Sequence, residues 1–306
     1  MSSSIYELSN LYEKYKDMQE LEKRDKTLFT NFKSIDKFTD GLQNRQLYIL
    51  AARPGVGKTT LLQNMIINAA KQLKESEYIL FLSLELSAVD VYKRFIQIES
   101  NSLTKFDINN YDPDEEIKTE IERIKTEFHN KNILVFDNEA NEQITPAYIQ
   151  KLLNELKEKD IKVKSIFIDY FQLLDSNLFN AIEYKAQEDT SKQLKQIAKI
   201  NNINVFCLAQ LSREYEKRKT VIPTFSDLKG TSSIEQDADV IMFLYSQDNN
   251  IYNNNSILEL QLTIAKNRNG LCNTSNLVFY TEKAKFFDND NFSVIAKNKG
   301  DKNGRL

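Results

Sequence analysis

The chain has 306 residues, of which 41% are apolar and 28% charged, a composition that is ordinary for a soluble globular protein. Its formal net charge of −3 excludes a generally basic nucleic-acid-binding protein, so any contact with DNA depends on the local placement of lysine and arginine. Two cysteines and one histidine cannot build a Cys/His zinc site, and without a long apolar run or a signal peptide we expect a cytoplasmic protein with no membrane partner.

The first predicted element is an amphipathic helix over residues 4–24. Ser4 to Glu7 fits a capping box, and apolar residues then recur at three- and four-residue spacing. This helix precedes the first core strand and cannot bury its apolar stripe alone. We expect it either to pack on its own domain or to dock on a neighbouring subunit.

A phosphate-binding loop follows, between an apolar strand and a helix. Gly55 and Gly57 allow backbone N–H groups to converge on phosphate oxygens, and the helix after them points its positive end at the anion. Lys58 would contact the β- and γ-phosphates, and the Thr59 hydroxyl would bind Mg²⁺. The predicted nucleotide-binding residues are Arg53, Pro54, Gly55, Val56, Gly57, Lys58, Thr59 and Thr60.

One position departs from the usual G-x-x-x-x-G-K-[ST] pattern, because Ala52 stands where the first glycine is expected. The pattern alone therefore leaves open an ordinary strand-to-helix turn. The apolar strand before it and the helical segment after it favour the phosphate-binding interpretation.

Two carboxylates follow apolar strands further along the chain. The run 78–84 ends at Glu85, which could polarise a water for attack on a γ-phosphate or could be a solvated strand end. The run 163–168 ends at Asp169 and is typical of a Walker B element, in which the carboxylate orients Mg²⁺. An ordinary capping role is the alternative for Asp169.

Further strands alternate with helices. Helices are predicted over 89–98, over 113–128 and from an N-cap at Thr145, and strands over 132–136, 204–209 ending at Gln210, 239–245, 258–265 and 276–280. This order predicts an α/β fold, a mostly parallel twisted sheet with helices on both faces. Glu85, Asp169 and Gln210 would then line one crevice at the carboxyl ends of the strands. The tail from Asp288 onward is expected to be mobile.

Taken together, these segments resemble the C-terminal ATPase domain of the DnaB-type replicative DNA helicases, a RecA-like family of hexamers. That family commonly carries alanine at the first position of the phosphate-binding loop, as Ala52 does here. The resemblance implies an N-terminal linker-helix region over 1–30, an ATPase domain over 31–287 and a flexible tail over 288–306, without the collar domain of full-length members. The motifs that carry it are 41–43, 51–59, 83–87, 168–173, 208–213, 226–228, 233–239 and 265–270.

The resemblance also implies roles for individual residues. Lys58 and Thr59 would hold phosphate and Mg²⁺, Asp169 would organise the metal, Glu85 would activate water, and Gln210 would sense the γ-phosphate.

Two further residues would act across a subunit boundary. Lys266 and Arg268 are two residues apart, on the same side of an extended strand end, and would reach a neighbouring subunit's nucleotide as a trans lysine and an arginine finger. Taken without the family, the same segment is a solvated basic turn.

Contact with DNA is expected from the loop Lys229, Gly230, Thr231 and Ser232, which lacks the arginine and glutamate usual in the family. Lys229 and backbone amides can still bind phosphate without reading sequence, so we expect weak, salt-sensitive binding.

The implied activity is ATP-driven, Mg²⁺-dependent 5′-to-3′ translocation on single-stranded DNA by a homo-hexameric helicase, with a primase or a helicase loader as further partners. Two alternatives stay open: a RecA-superfamily ATPase that does not unwind DNA, and a nucleotide-gated assembly module with little turnover.

Overall fold

The computed structural model describes residues 7–8, 11–24, 27–110, 112–129, 131–139, 142–176, 183–212, 222–228, 232–247 and 256–289. The helices in these ranges are α1 Leu11–Arg24, α2 Lys33–Thr39, α3 Lys58–Ala70, α4 Ala88–Glu99, α5 Lys105–Ile108, α6 Glu115–Phe128, α7 Pro146–Glu158, α8 Glu183–Asn201 and α9 Ser232–Asp237. The strands are β1 Leu47–Ala52, β2 Glu77–Ser83, β3 Ile133–Asp137, β4 Lys162–Asp169, β5 Asn204–Gln210, β6 Val240–Tyr245, β7 Ile257–Asn267, β8 Asn273–Tyr280 and β9 Lys285–Asp288.

The strands form one nine-stranded sheet in the order β3-β2-β4-β5-β1-β6-β7-β8-β9. Pairing is parallel from β3 through β6 and antiparallel from β6 to β9. The predicted mostly parallel sheet is confirmed, with an antiparallel extension at one side. Its helices lie on both faces, because one apolar core includes side chains of α2, α3 and α4 and the other includes those of α7, α8 and α9.

Strand β1 shows why the sequence folds this way. All six of its residues are buried, and a strand covered on both faces needs an almost continuous apolar run. Successive side chains alternate between faces. Tyr48 and Leu50 therefore enter the core beside α3, while Leu47 and Ile49 enter the core beside α8.

Helix α3 is joined to the end of the sheet by Asn64. The Asn64 amide nitrogen donates to the carbonyls of Thr60 and Ala284, at 2.8 and 2.9 Å, and its oxygen accepts from the Phe286 N–H at 3.2 Å. A buried amide with all these bonds fixes the helix after the phosphate-binding loop against β9.

Asp288 belongs to the sheet rather than to the tail. It is the last residue of β9, is buried, and its two carboxylate oxygens accept from the N–H groups of Lys33 and Ser34 at 2.8 and 3.0 Å. Those N–H groups open α2 and have no partner within the helix. The predicted tail after residue 289 lies outside the described residues.

Helix α1 and the residue Leu8 before it carry exposed apolar side chains. Leu8, Tyr12 and Tyr15 are 86%, 58% and 55% exposed, so these three residues do not pack on the chain's own domain. Ser4, the first residue of the predicted capping box, lies outside the described residues. None of the helices that the structure describes has the length and apolar character needed to cross a bilayer.

Candidate functional site

The carboxyl ends of four neighbouring parallel strands meet at one edge of the sheet. Ala52 at the end of β1 pairs in register with Gln210 at the end of β5, and Ser83 at the end of β2 pairs with Asp169 at the end of β4. Polar groups at such an edge share one crevice, as the strand order predicts. The phosphate-binding loop starts there, directly after Ala52.

The loop has the backbone that a phosphate cradle requires. Gly55 and Gly57 have φ values of 81° and 97°, in the left-handed region that side chains disfavour. A Cβ added to Gly57 would lie 2.9 Å from the Phe279 ring and 3.0 Å from the Phe286 ring. These two rings stack with centroids 4.3 Å apart. Strands β8 and β9 therefore support the loop from behind, which the sequence analysis did not anticipate.

Thr59 and Asp169 meet beneath the loop. The Thr59 hydroxyl donates to Asp169 Oδ2 at 2.7 Å, and Asp169 is fully buried with its Oδ1 lacking a hydrogen-bond partner. Burial raises the pKa of Asp169, although the bond from Thr59 and the charge of Lys58 oppose the shift. A hydroxyl and a carboxylate with a spare oxygen are ligands that suit Mg²⁺, so the residues present fit this metal.

Lys58 lies in the same pocket. It is 7% exposed, and its ammonium is 4.7 Å from the centroid of the Tyr170 ring. Burial lowers the pKa of Lys58, while the charges of Asp169 and Glu85 partly offset this. A cation held by an aromatic face keeps its N–H donors available for a phosphate.

Glu85 lies two residues beyond the strand that was predicted to end with it, because β2 ends at Ser83. The loop that carries Glu85 is fixed by a bond from the Ser83 hydroxyl to the Leu86 carbonyl, 2.7 Å, and by one from the Leu84 N–H to the Asp169 carbonyl, 2.9 Å. Glu85 is exposed, and its charge acts on both Lys58 and Asp169.

Gln210 is linked to the same pocket through Tyr170. Burial raises the pKa of the Tyr170 hydroxyl, and a hydrogen bond from the Gln210 side chain opposes this. The Gln210 N–H donates to the Gln172 side-chain oxygen at 3.1 Å. The structure thus brings together Lys58, Thr59, Glu85, Asp169 and Gln210.

Lys266 and Arg268 lie at the opposite edge of the sheet. Lys266 pairs with Ile241 near the start of β6, and Ile241 pairs with Ile49 near the start of β1. The Arg268 N–H donates to the Asp239 carbonyl, and the Asp239 N–H donates to the Leu47 carbonyl at the start of β1. Since six-residue β1 spans roughly 17 to 20 Å, Arg268 is remote from its own phosphate-binding loop. Lys266 and Arg268 both donate to the backbone carbonyl of Gln236 at the end of α9.

Arg94 is a site residue that the sequence analysis missed. Its Nη1 donates to the Thr60 hydroxyl at 2.8 Å, and burial lowers the pKa of its guanidinium. It occupies α4 between Val91 and Phe95, which are buried. The sequence offered one indication of this role, a cation among the apolar residues of a helix. A buried charge costs free energy unless a partner compensates for it.

The predicted DNA loop is mostly outside the described residues, which resume at Ser232, the first residue of α9. Lys229, Gly230 and Thr231 therefore stay predictions. The described chain before them ends at Leu228, which is buried and bridges to Leu211 beside the end of β5.

Comparison with known proteins identifies relatives for this arrangement. The family model described as the DnaB-like helicase C terminal domain matches residues 27–288. The replicative DNA helicase DnaB of Mycoplasma genitalium is 33% identical over 268 residues, 85% of this chain and 56% of that protein. The corresponding protein of Geobacillus stearothermophilus is 33% identical over 284 residues, 90% of this chain and 60% of that protein. The chain thus spans little more than half of the length of these relatives.

Solved structures are also similar. One solved ATPase domain superposes with a TM-score of 0.81 at 27% identity, covering 94% of this chain and 99% of that one. A DnaB-like replicative helicase, studied with its primase interactions, gives a TM-score of 0.79 at 28% identity over 92% of this chain and 68% of that one. These similarities confirm the expected RecA-like α/β fold.

Proposed function

The chain belongs to the family of DnaB-like helicase C-terminal domains, and from this premise we propose that it is the ATP-hydrolysing motor of a replicative DNA helicase. The observation that carries the proposal is the Thr59–Asp169 contact, 2.7 Å, beneath a loop with left-handed glycines at positions 55 and 57. A hydroxyl and an orphaned carboxylate oxygen at the end of a phosphate cradle suit a nucleotide with a divalent cation.

ATP would bind with its phosphates in the loop formed by residues 53–60. The backbone amides after Gly55 and Gly57 and the positive end of α3 stabilise the phosphate charge, and Lys58 supplies a buried ammonium. Thr59 and Asp169 would hold Mg²⁺, which neutralises charge on the β- and γ-phosphates when bound.

Hydrolysis would use Glu85 as the general base. Its exposed carboxylate stands on a loop fixed by backbone bonds, so it can accept a proton from an attacking water. Gln210 hydrogen-bonds to Tyr170, whose ring faces Lys58. A change at the γ-phosphate can therefore pass from Lys58 to Gln210 at the end of β5.

The site would be completed by another copy of the chain. Lys266 and Arg268 lie at the far edge of their own sheet, so a neighbouring subunit's nucleotide is the one that they can reach in a head-to-tail ring. An arginine finger supplied in this way raises turnover by about 10³ to 10⁵ in related phosphoryl-transfer enzymes. A homo-hexamer is the assembly proposed.

Single-stranded DNA would pass through this ring and contact the loop around Lys229 by its phosphates, with 5′-to-3′ movement as the proposed direction. Helix α1, in which Tyr12 and Tyr15 are exposed, would dock on the adjacent subunit. A primase, as in the similar solved helicase, or a helicase loader would be a further partner.

The decisive experiment measures ATP hydrolysis with and without single-stranded DNA, fork unwinding and native mass on the same preparation. We expect Mg²⁺-dependent hydrolysis by a hexamer that DNA stimulates and that unwinds a fork. Lys58→Ala should abolish both activities, whereas Lys71→Ala, at the far end of α3, should keep them. Unwinding by Lys58→Ala would contradict the proposal, and hydrolysis without unwinding would favour a RecA-superfamily ATPase of another kind.

A further inference from the structure

Asp239 joins several elements at the edge of the sheet where β1 and β6 begin. It lies directly before β6 and is 6% exposed. Its Oδ2 accepts from the Leu47 N–H, which opens β1, at 2.7 Å, and also from the Lys195 ammonium of α8. Its Oδ1 is 3.5 Å from Arg268 Nη1, and its carbonyl accepts from the Arg268 N–H at 3.0 Å.

We propose that Asp239 is a positioning residue that holds Arg268 in the direction in which it enters a neighbouring subunit's nucleotide site. The inference rests on the trans role of Arg268 in the proposed function. It goes further, because it explains how a long and flexible side chain is oriented before the neighbour's phosphates are present.

Three acceptors surround the guanidinium and its companion lysine, and we call them the anchor site: the Asp239 carboxylate and the carbonyls of Glu235 and Gln236. Arg268 Nη2 donates to the Gln236 carbonyl, and the Lys266 ammonium donates to both carbonyls. These carbonyls end α9, where helix carbonyls lack partners within the helix and carry partial negative charge. The anchor site therefore fixes both cations by groups that belong to the main fold.

The anchor site leaves Arg268 able to act. Its side chain is 47% exposed although Asp239 is buried. Nη1 and Nη2 are therefore each oriented by one acceptor of the chain's own fold, while part of the side-chain surface faces outward. Asp239 also forms an ion pair with Lys195. Its negative charge is therefore shared between two cations and does not fully neutralise Arg268. A positive group that is oriented in advance is the arrangement that stabilises developing negative charge best.

The test uses Asp239→Asn, which keeps the size of the side chain and an oxygen for the Leu47 N–H. We expect kcat for ATP to fall about 10- to 100-fold, as for catalytic groups that are displaced by about 1 Å, with the KM for ATP unchanged. Asp114→Asn is the matched control and should keep the wild-type kcat, since Asp114 caps α6 by accepting from the Ile117 N–H, a bond that asparagine can also make.

A merely structural role is tested in the Arg268→Ala background. If Asp239 acts through Arg268, adding Asp239→Asn should cost no further activity, because residues that act as one unit are not additive. A further loss of the same size as in the wild-type background would overturn the proposal.

Mixed rings separate this proposal from the function on which it rests. Glu85→Gln chains lack the base but carry an intact Arg268, so mixing them with Asp239→Asn chains should restore hydrolysis at the shared interfaces. If this mixture does not regain hydrolysis while a mixture of Arg268→Ala with Glu85→Gln chains does, the role of Asp239 is overturned. Failure of both mixtures overturns the trans arrangement itself. Should circular dichroism find Asp239→Asn unfolded, Asp239→Glu, which displaces the carboxylate, enters the same comparisons.

Discussion

At the scale of single residues, the pocket beneath the phosphate-binding loop contains two charged groups that are costly to bury. Lys58 and Asp169 are both removed from water, and burial shifts each pKa toward the neutral form while the other charge opposes it. Two buried charges of this kind are poor evidence for stability, since removing charges from water often costs as much as their attraction contributes. The proposed reaction, which needs both charges, would explain why they lie in one pocket.

Gln63 is a residue at which a substitution should increase the stability of the fold. It is fully buried in α3, and neither its side-chain oxygen nor its nitrogen has a hydrogen-bond partner in the described structure. Leucine has a similar size and no polar atoms, so Gln63→Leu should raise the free energy of unfolding by about 1 to 3 kcal/mol. Chemical unfolding followed by circular dichroism measures this.

The neighbouring Asn64 provides the matched control. Its amide makes three hydrogen bonds, to the backbone of Thr60, Ala284 and Phe286. Asn64→Leu should therefore remove the side-chain partner of the Ala284 carbonyl and of the Phe286 N–H and lower the free energy of unfolding. If both leucine variants changed the free energy of unfolding in the same direction, the hydrogen bonding of the two side-chain amides would not explain the changes.

Asp36 gives a prediction about pH. Burial raises the pKa of Asp36 to about 6 from 3.8, although bonds from the Thr30 N–H and hydroxyl oppose the shift. The folded chain therefore holds this proton more tightly than the unfolded chain. The stability that it contributes is complete below pH 3.8 and is lost as the pH rises through about 6. Between these values, unfolding curves of Asp36→Asn should depend less on pH than those of the wild type, and equal slopes would contradict the assignment.

At the scale of elements, long apolar runs and the charged helix α6 were predictable, whereas the shortest elements were not. β1, β4, β5 and β6 are each covered on both faces, so their composition alone identified them. Strand β9 has four residues and exists because Asn64 and α2 bind it from distant parts of the chain. No local pattern encodes such contacts.

The residues of the candidate site can be divided in the same way, into those that the sequence predicted and those that it did not. Thr59 and Asp169 were predictable, because strand ends in a parallel sheet converge. Arg94 was not, since its role depends on the packing of α4 against α3, which places it on Thr60. The support of Gly57 by Phe279 and Phe286 likewise depends on a contact between the two ends of the domain.

Helix α1 carries the prediction for element docking. Tyr12 and Tyr15 are more than half exposed, and a helix with an uncovered apolar side needs a partner surface. Deleting residues 1–24 should lower the native mass of the assembly without changing the thermal unfolding of the domain. Light scattering and circular dichroism measure the two effects.

A milder comparison keeps the helix. Tyr12→Ser with Tyr15→Ser should weaken assembly as the deletion does, while Glu13→Gln, also exposed on α1, should not. An unchanged mass for both the deletion and the double variant would show that α1 has no part in the ring.

At the scale of the whole molecule, the residues proposed to act in catalysis lie at opposite edges of one sheet. The phosphate-binding loop is at the carboxyl end of β1, and Arg268 is beyond its start. In the proposed ring each copy would therefore give its cations to one neighbour and receive those of the other, which is a heterologous contact. We expect hydrolysis per chain to fall steeply on dilution, together with the native mass; hydrolysis that stays constant after the assembly dissociates would contradict this.

The division of the proposed catalytic residues between two subunits also determines how a defect in one copy affects the activity of the others. Because an open row of subunits would have one working site fewer than a closed ring of the same copies, opening the proposed ring would silence a site without altering any residue in it. One subunit lacking Arg268 would inactivate the site of an undamaged neighbour, and one lacking Lys58 would inactivate its own. Either defect should therefore poison rings of wild-type chains, so that a minority of defective copies removes a larger share of the activity.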